Sequence, residues 1–312
     1  MNEFDLIAKY FAPLAGPEGL KLKDDAAHFS PPAGFDVVLT KDTMVEAVHF
    51  PAGRYGSEVA ERLLRVNLSD LAAKGATPRG YLLSIAWPKN VDHVHMQDFA
   101  NGLKSSNEKF KISLWGGDTV AIDGPAVFTA TLVGTMPEGL SVTRSGARPG
   151  HDIYLTGYLG KGYFGLKGLS KQHVKNDLFY KPAPRLELRT IIRTWASASI
   201  DVSDGFAADI SHLAETSSVS AVIETDELYW PDDIQKWLAN DSGRLNILLT
   251  HGDDYEVLFT AHPDHRDEIQ KAAQTLDFKV QLIGRCGLGQ GVTITSEGHP
   301  LAFEQTGYKH FQ

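Results

Sequence analysis

Carboxylates recur through this chain where apolar segments give way to glycine or turn residues: Asp24-Asp25, Asp42, Asp70, Asp118, Asp201 with Asp204, and Asp253-Asp254. Asp118 closes the run Ile112-Ser113-Leu114-Trp115-Gly116-Gly117, Asp42 follows Val37 to Lys41, and Asp201 follows Ala198-Ser199-Ile200. Each of the three is therefore expected where a buried strand ends, a costly place for a charge unless a cation meets it. Oxygen ligands without a Cys or His cluster suit a hard ion such as Mg²⁺, which keeps several waters and bridges protein carboxylates to substrate phosphates. The first chemistry to expect is metal-dependent work on a nucleotide phosphate.

Local spacing sharpens some of these sites and leaves others open. Asn67 and Asp70 stand three apart on one helix face, as a polar notch or as a surface stripe with Asp70 paired to Lys74. Gly116-Gly117 before Asp118 permits close backbone approach to a ligand, or is simply a turn. In Asp201-Val202-Ser203-Asp204-Gly205 two carboxylates flank a hydroxyl at a strand-to-helix junction, and helix capping explains one of these side chains but not all three. Arg144 and Arg148 can each bind two phosphate oxygens, or are solvated linker charges. His49 is a lone histidine beside Phe50 and reads first as structural. The glycines from Gly157 to Gly168 lack the spacing and the Lys-Ser/Thr ending of a nucleotide P-loop, so Gly160-Lys161-Gly162 is expected to be a turn. No nucleophile elbow or reactive cysteine suggests covalent catalysis.

The elements that must position these residues follow from periodicity. Phe4, Ile7, Tyr10, Phe11 and Leu14 fall at helical spacing, ended by Pro13 and Gly16-Pro17. Residues 35–40, 81–87, 111–115 and 126–136 read as strands. A helix capped by Ser57 carries Val59, Leu63, Val66 and Leu71, and another is expected around residues 97–108. Arginine and turn formers at 144–150 break the composition, and the domain boundary is placed there. Beyond it, strands are expected at 152–156, 255–260, 279–283 and 292–295, and helices at 184–196, after Gly205 and at 265–276.

Bulk properties bound the function. At 312 residues with 42% hydrophobic content the chain can hold two cores. A net charge of -9 argues against nucleic acid and acidic membrane as partners, while a small polyanion stays possible through metal ions. The single Cys286 allows no intrachain disulfide and no thiolate cage. With no leader-like N-terminus and no apolar run of about 18 residues, a soluble cytoplasmic protein is expected.

Taken in order, the motifs resemble the thiamine-monophosphate kinase family, whose superfamily includes aminoimidazole ribonucleotide synthetase and selenophosphate synthetase. The resemblance runs through Asp24-Asp25-Ala26-Ala27, Asp42 with Val45-Glu46-Ala47-Val48-His49-Phe50, Asn67-Leu68-Ser69-Asp70-Leu71-Ala72-Ala73 and Gly116-Gly117-Asp118-Thr119. It continues through Thr143-Arg144-Ser145-Gly146-Ala147, Asp201 to Gly205, Gly252-Asp253-Asp254-Tyr255-Glu256 and Gly307-Tyr308-Lys309-His310-Phe311. It implies a two-domain α+β fold like that of aminoimidazole ribonucleotide synthetase. An N-terminal mixed α/β domain (1–143) would bind metal and ATP and dimerise, and a C-terminal α/β domain (144–312) would complete the substrate cleft.

The activity implied is transfer of the ATP γ-phosphoryl group to thiamine monophosphate, in a homodimer. Carried over by position, Asp25, Thr40, Asp42, Asp70, Asp118, Asp201 and Asp204 would hold Mg²⁺. Gly117, Asp118, Arg144 and Ser203 would contact ATP, and His49, Asp253 and Tyr308 the thiamine phosphate. Asp118, Asp204 and Arg144 would be catalytic. Lys23, Lys41, Lys74 and Asp253 depart from the family's usual glycine, hydroxyl residue, methionine and glutamate. An ammonium at Lys23 or Lys41 would occupy charge space that Mg²⁺ fills elsewhere, or these are tolerated variants. The rival readings are another ATP-dependent enzyme of the superfamily and a catalytically silent nucleotide-binding homologue.

Overall fold

The structure is a computed structural model that describes residues 3–169 and 177–308. Its contacts divide the chain into two units, Met1–Leu71 with Ala76–Gly139, and Ala72–Gly75 with Leu140–Gln312.

The first unit is built on four strands, β1 (Phe35–Val45), β2 (Thr77–Pro88), β3 (Ser113–Ile122) and β4 (Val127–Pro137), in the order β1-β4-β2-β3. Only β2 and β3 run parallel. Two helices, α1 (Ser57–Ala73) and α2 (His93–Phe110), supply the apolar cover. Burial alternates along β1, with Phe35, Val37, Leu39, Lys41 and Thr43 exposed and the intervening residues more buried, as a half-covered strand requires. Trp87, Phe99 and Phe128 interlock in the core with ring centroids 4.7 to 5.4 Å apart. The start of α1 is held from α2, because Ser57 N donates to Asp98 Oδ2 at 2.9 Å.

Two sequence expectations change here. Asp42 and Asp118 do not mark strand ends, since each lies inside its strand. The strand continues through Gly116-Gly117 because glycine lets β2 come close: a Cβ on Gly117 would meet the Leu83 carbonyl oxygen at 1.9 Å.

The second unit holds a seven-stranded sheet in the order β11-β10-β7-β9-β5-β8-β6. Its strands are β5 (Asp152–Thr156), β6 (Ala196–Asp201), β7 (Ser220–Glu224), β8 (Val257–Ala261), β9 (Val280–Gly287), β10 (Gly291–Ser296) and β11 (His299–Pro300). β5 and β8 are buried at every position. Alternate residues of β5 feed two separate cores. Ile153 and Leu155 join Phe206, Ile210 and Leu213, whereas Tyr154 joins Ile191, Ile192, Ile269 and Ala273. Helices on both faces make this a three-layer α/β unit.

The helices are α3 (Lys161–Lys167), α4 (Arg189–Trp195), α5 (Phe206–Ser217), α6 (Asp232–Leu238), α7 (Gly243–Thr250) and α8 (Arg266–Thr275). The expected turn at Gly160-Lys161-Gly162 is instead the start of α3. Its glycines serve packing, because a Cβ on Gly162 would meet the Gly252 carbonyl oxygen at 2.6 Å. Strand β7 and helices α6 and α7 escape the sequence reading, since each is short and only partly apolar.

Candidate active site

In the second unit β6 ends on Asp201 and α5 begins at Phe206, so Val202 to Gly205 form the turn between them. Gly205 adopts φ +130°, which lets the chain reverse into the helix. Two further segments lean on this turn through backbone hydrogen bonds. Tyr255 N donates to Val202 O at 2.8 Å, Asp253 N to Ser203 O at 2.9 Å, and Tyr308 N to Asp204 O at 2.9 Å. The contact is close enough that a Cβ on Gly252 would sit 2.1 Å from the Ser203 carbonyl oxygen. Asp201, Ser203, Asp204, Asp253 and Tyr308, far apart in sequence, are thus brought together. The motif residues Lys309, His310 and Phe311 lie outside the described residues.

Ser203 and Asp204 are half-buried, and among the described residues their side chains make no hydrogen bond or ion pair. Asp253 adopts φ +71°, and its Oδ1 accepts the Tyr255 hydroxyl at 3.0 Å. The 144–147 segment is more than a solvated linker. Ser199 N donates to Thr143 O at 2.9 Å, Ser217 Oγ donates to Arg144 O at 3.1 Å, and the Arg144 side chain remains exposed.

Below these residues lies a buried ionic group that the sequence reading does not single out. Glu256, with no exposure, accepts from Arg185 Nε and from Thr156 Oγ1, each at 2.6 Å, and pairs with Lys161. Burial pushes its carboxyl up, but Lys161 and Arg185 outweigh burial and hold it below the usual range. Asp254 accepts Gly160 N at 2.9 Å and Gly162 N at 3.1 Å, tying α3 to the Asp253 loop. Burial raises the Asp254 carboxyl to about 7, against the pull of Lys161.

The raised Asp254 value gives a pH prediction. A carboxyl whose folded pKa lies above its unfolded value stabilises fully below the unfolded pKa, and loses that contribution as pH rises through the folded one. The stability of wild type relative to Asp254→Asn is therefore expected to fall between about pH 4 and about pH 7. Chemical denaturation of both proteins across that range checks it, and a constant difference would refute it.

In the first unit Thr40 Oγ1 donates to Asp70 Oδ2 at 2.5 Å, which joins β1 to α1. Asp42 lies two residues on from Thr40 in β1, hence on the same strand face. Lys41 points to the opposite, exposed face, which counts against its ammonium substituting for a cation beside Asp42. Lys74, which belongs to the second unit, donates from Nζ to Ser199 O of that same unit at 2.7 Å.

Asp118 does not join the Thr40–Asp42–Asp70 face. Strand register aligns it with Ser84, Thr129 and Thr43, while Asp42 aligns with Ala130, Leu83 and Gly117. Asp25 is exposed in the loop before β1. His49 Nδ1 accepts Val45 N at 3.0 Å, which places the proton of the neutral ring on Nε2. The neighbouring Glu46 pins this loop by accepting from Gly53 N, Ala126 N and the Tyr55 hydroxyl, each at 2.8 Å. Burial works against its charge, and the two backbone donors with Tyr55 hold its carboxyl below the ordinary range.

Among the described residues no group of three or more His, Cys, Asp or Glu side chains is close enough to hold a metal by itself. The donor set still fits a hard cation that takes one or two protein carboxylates and completes its shell with water and phosphate. No described helix is long and apolar enough to cross a membrane.

The residues to which sequence reasoning gives no site role, Lys161, Arg185, Asp209 and Glu256, carry one shared signal. They are charged residues set among glycine or apolar neighbours, as in Gly160-Lys161-Gly162 and in Ala207-Ala208-Asp209-Ile210.

Comparison with known proteins agrees with this architecture. The family model for AIR synthase related protein, N-terminal domain, matches residues 23–136. The thiamine-monophosphate kinase of Caulobacter vibrioides is 39% identical over 99% of this chain and 91% of its own length. The crystal structure of thiamine-monophosphate kinase from Stenotrophomonas maltophilia K279a, 34% identical, superposes with a TM-score of 0.79 over 90% of this chain and 91% of that one. AaThiL complexed with AMPPCP and TMP, 26% identical, gives 0.78 over 99% and 94%. Full-length identity of this order, on the same two-unit α+β fold and with the ordered acidic motifs in place, shows that the chain belongs to the thiamine-monophosphate kinase family.

Proposed function

We propose that this protein transfers the γ-phosphoryl group of ATP to thiamine monophosphate, giving thiamine diphosphate and ADP. The observation that carries this reading is the Val202–Gly205 turn, on which Asp201, Ser203 and Asp204 meet Asp253 and Tyr308. The related AaThiL is complexed with AMPPCP and TMP, an ATP analogue and an acceptor, which supports both substrates.

In this reading Asp25, Thr40, Asp42, Asp70, Asp118, Asp201 and Asp204 hold Mg²⁺, which when bound neutralises phosphate charge. Gly117, Asp118, Arg144 and Ser203 receive ATP, and His49, Asp253 and Tyr308 receive the thiamine phosphate. The Arg144 guanidinium offers a two-point grip on phosphate oxygens.

The acceptor is already a phosphate whose second pKa is about 6, so near neutral pH it is largely an anion and needs no strong general base. Arg144 would then orient the two anions in line, while Asp118 and Asp204 would hold the Mg²⁺ that offsets their mutual repulsion. Direct transfer predicts inversion at phosphorus when ATP chiral at the γ-phosphate is used; retention would indicate a phosphoenzyme.

Of the rival enzymes of the superfamily, one resembling selenophosphate synthetase, which would call for a reactive cysteine, finds no support. The sole cysteine, Cys286, is 2% exposed, and burial pushes its thiol up to about 11. That setting suits an inert, structural thiol.

A homodimer is supported by the open face of the first sheet, where Val37, Leu39, Leu82 and Val120 are 41 to 65% exposed. Apolar residues grouped on one sheet face call for a covering surface. Sedimentation should show a dimer, and a monomer at micromolar concentration would rule this out.

A further inference from the structure

Asp209 lies in the first turn of α5, is 2% exposed, and has no role in the reading above. Its Oδ2 accepts three successive backbone donors: Ser203 N at 3.0 Å, Asp204 N at 3.2 Å and Gly205 N at 3.2 Å. Consecutive amides that converge on one point form an anion-binding nest. Here the nest is filled by the protein's own carboxylate. A nucleotide phosphate therefore does not take these amides, as it would in a P-loop, and the turn can meet ATP only through side chains such as Ser203 and Asp204.

The other edge of the same turn is equally engaged. The carbonyls of Val202, Ser203 and Asp204 accept Tyr255 N, Asp253 N and Tyr308 N. A Cβ on Gly307 would lie 2.8 Å from the Asp204 carbonyl oxygen, so the 307–308 segment has no slack against the turn. Donors held by Asp209 on one side and acceptors held by two loops on the other make the turn a shared support. On it stand residues assigned to the phosphoryl donor and residues assigned to the acceptor.

We propose that Asp209 is the positioning residue that fixes the Ser203–Gly205 turn and, through it, Asp253 and Tyr308, so that donor and acceptor sites lose their geometry together when it is removed. This deepens the kinase reading and rests on it for its functional half.

Three variants test it, with thermal unfolding measured alongside. Asp209→Ala should raise KM for both ATP and thiamine monophosphate by about 10- to 100-fold, the range seen when a supporting contact behind a site is lost. Asp253→Ala should raise only the acceptor KM. Asp209→Asn keeps an acceptor oxygen for the amides and should retain most of the activity, which also serves if the alanine variant fails to fold.

Hydrogen exchange on the unliganded protein reads the anchor without catalysis. The amides of residues 203–205 should be protected in wild type and in Asp209→Asn, and exchange at least about tenfold faster in Asp209→Ala. Unchanged protection in the alanine variant, a rise in only one KM, or equal damage from alanine and asparagine would overturn the proposal. Wild-type protein that shows the exchange pattern but no turnover would overturn the kinase reading and leave the anchoring role standing.

Discussion

Asp204→Asn is expected to lower kcat for thiamine diphosphate formation by about 10²- to 10³-fold, the usual cost of losing one preorganised charged or polar group at a reacting centre. The fold should survive the change. Asp204 holds its turn through its backbone, whose N donates to Asp209 and whose O accepts Tyr308 N. Its carboxylate makes no hydrogen bond or ion pair among the described residues, and the amide is nearly the same size. The variant therefore removes charge where two anionic substrates and Mg²⁺ are proposed to meet, and it also removes the repulsion that, after burial, helps hold the Asp209 carboxyl up. Steady-state kinetics with a melting curve separates the two effects. A variant that keeps more than about a tenth of the wild-type rate would remove Asp204 from the reacting centre.

The largest stability effect is expected at Glu256. Removing one partner from a buried ionic group leaves the remaining charges without compensation, at a cost of about 3–5 kcal/mol. Glu256→Ala would leave both Lys161 and Arg185 against a low-dielectric interior, with Thr156 deprived of its acceptor. Arg185→Met leaves the Lys161–Glu256 pair intact and neutral overall, so it should cost clearly less. At about 2–4 °C per kcal/mol for a unit of this size, Glu256→Ala should lower the unfolding midpoint by roughly 10 °C. Denaturant titration of the two variants checks both the size and the order. A Glu256→Ala penalty under about 1 kcal/mol would mean that water or rearrangement replaces the lost partner.

How much of this was legible in the sequence depends on the range of the physical cause. The strand at 152–156 reads directly because five consecutive residues are buried on both faces. From sequence strand β1 ends at Thr40, because Lys41 and Asp42 look like a terminus, yet its alternation continues to Met44, with Lys41 outward and Asp42 inward. The Asp201–Gly205 motif was visible because a turn and its carboxylates are neighbours in sequence.

What holds that turn was hidden. Asp253, Tyr255 and Tyr308 complete it from about 50 or 100 residues away, where nothing local marks a backbone hydrogen bond, and Asp209, only four to six residues on, reads as one more polar position in an apolar helix. Asp118 illustrates the converse. Its motif suggests a place among the carboxylates near Asp42, and only the registers of β2 with β3 and with β4 show that it aligns with Ser84 and Thr129 instead.

The most direct test of the central claim is chromatographic detection of thiamine diphosphate and ADP after purified protein is incubated with ATP, Mg²⁺ and thiamine monophosphate, beside a chelator control. Equal amounts of the two products, abolished by chelator, are the predicted result. Measurable ATP binding with no thiamine diphosphate would contradict the account and mark the chain as a silent homologue or a kinase for another acceptor.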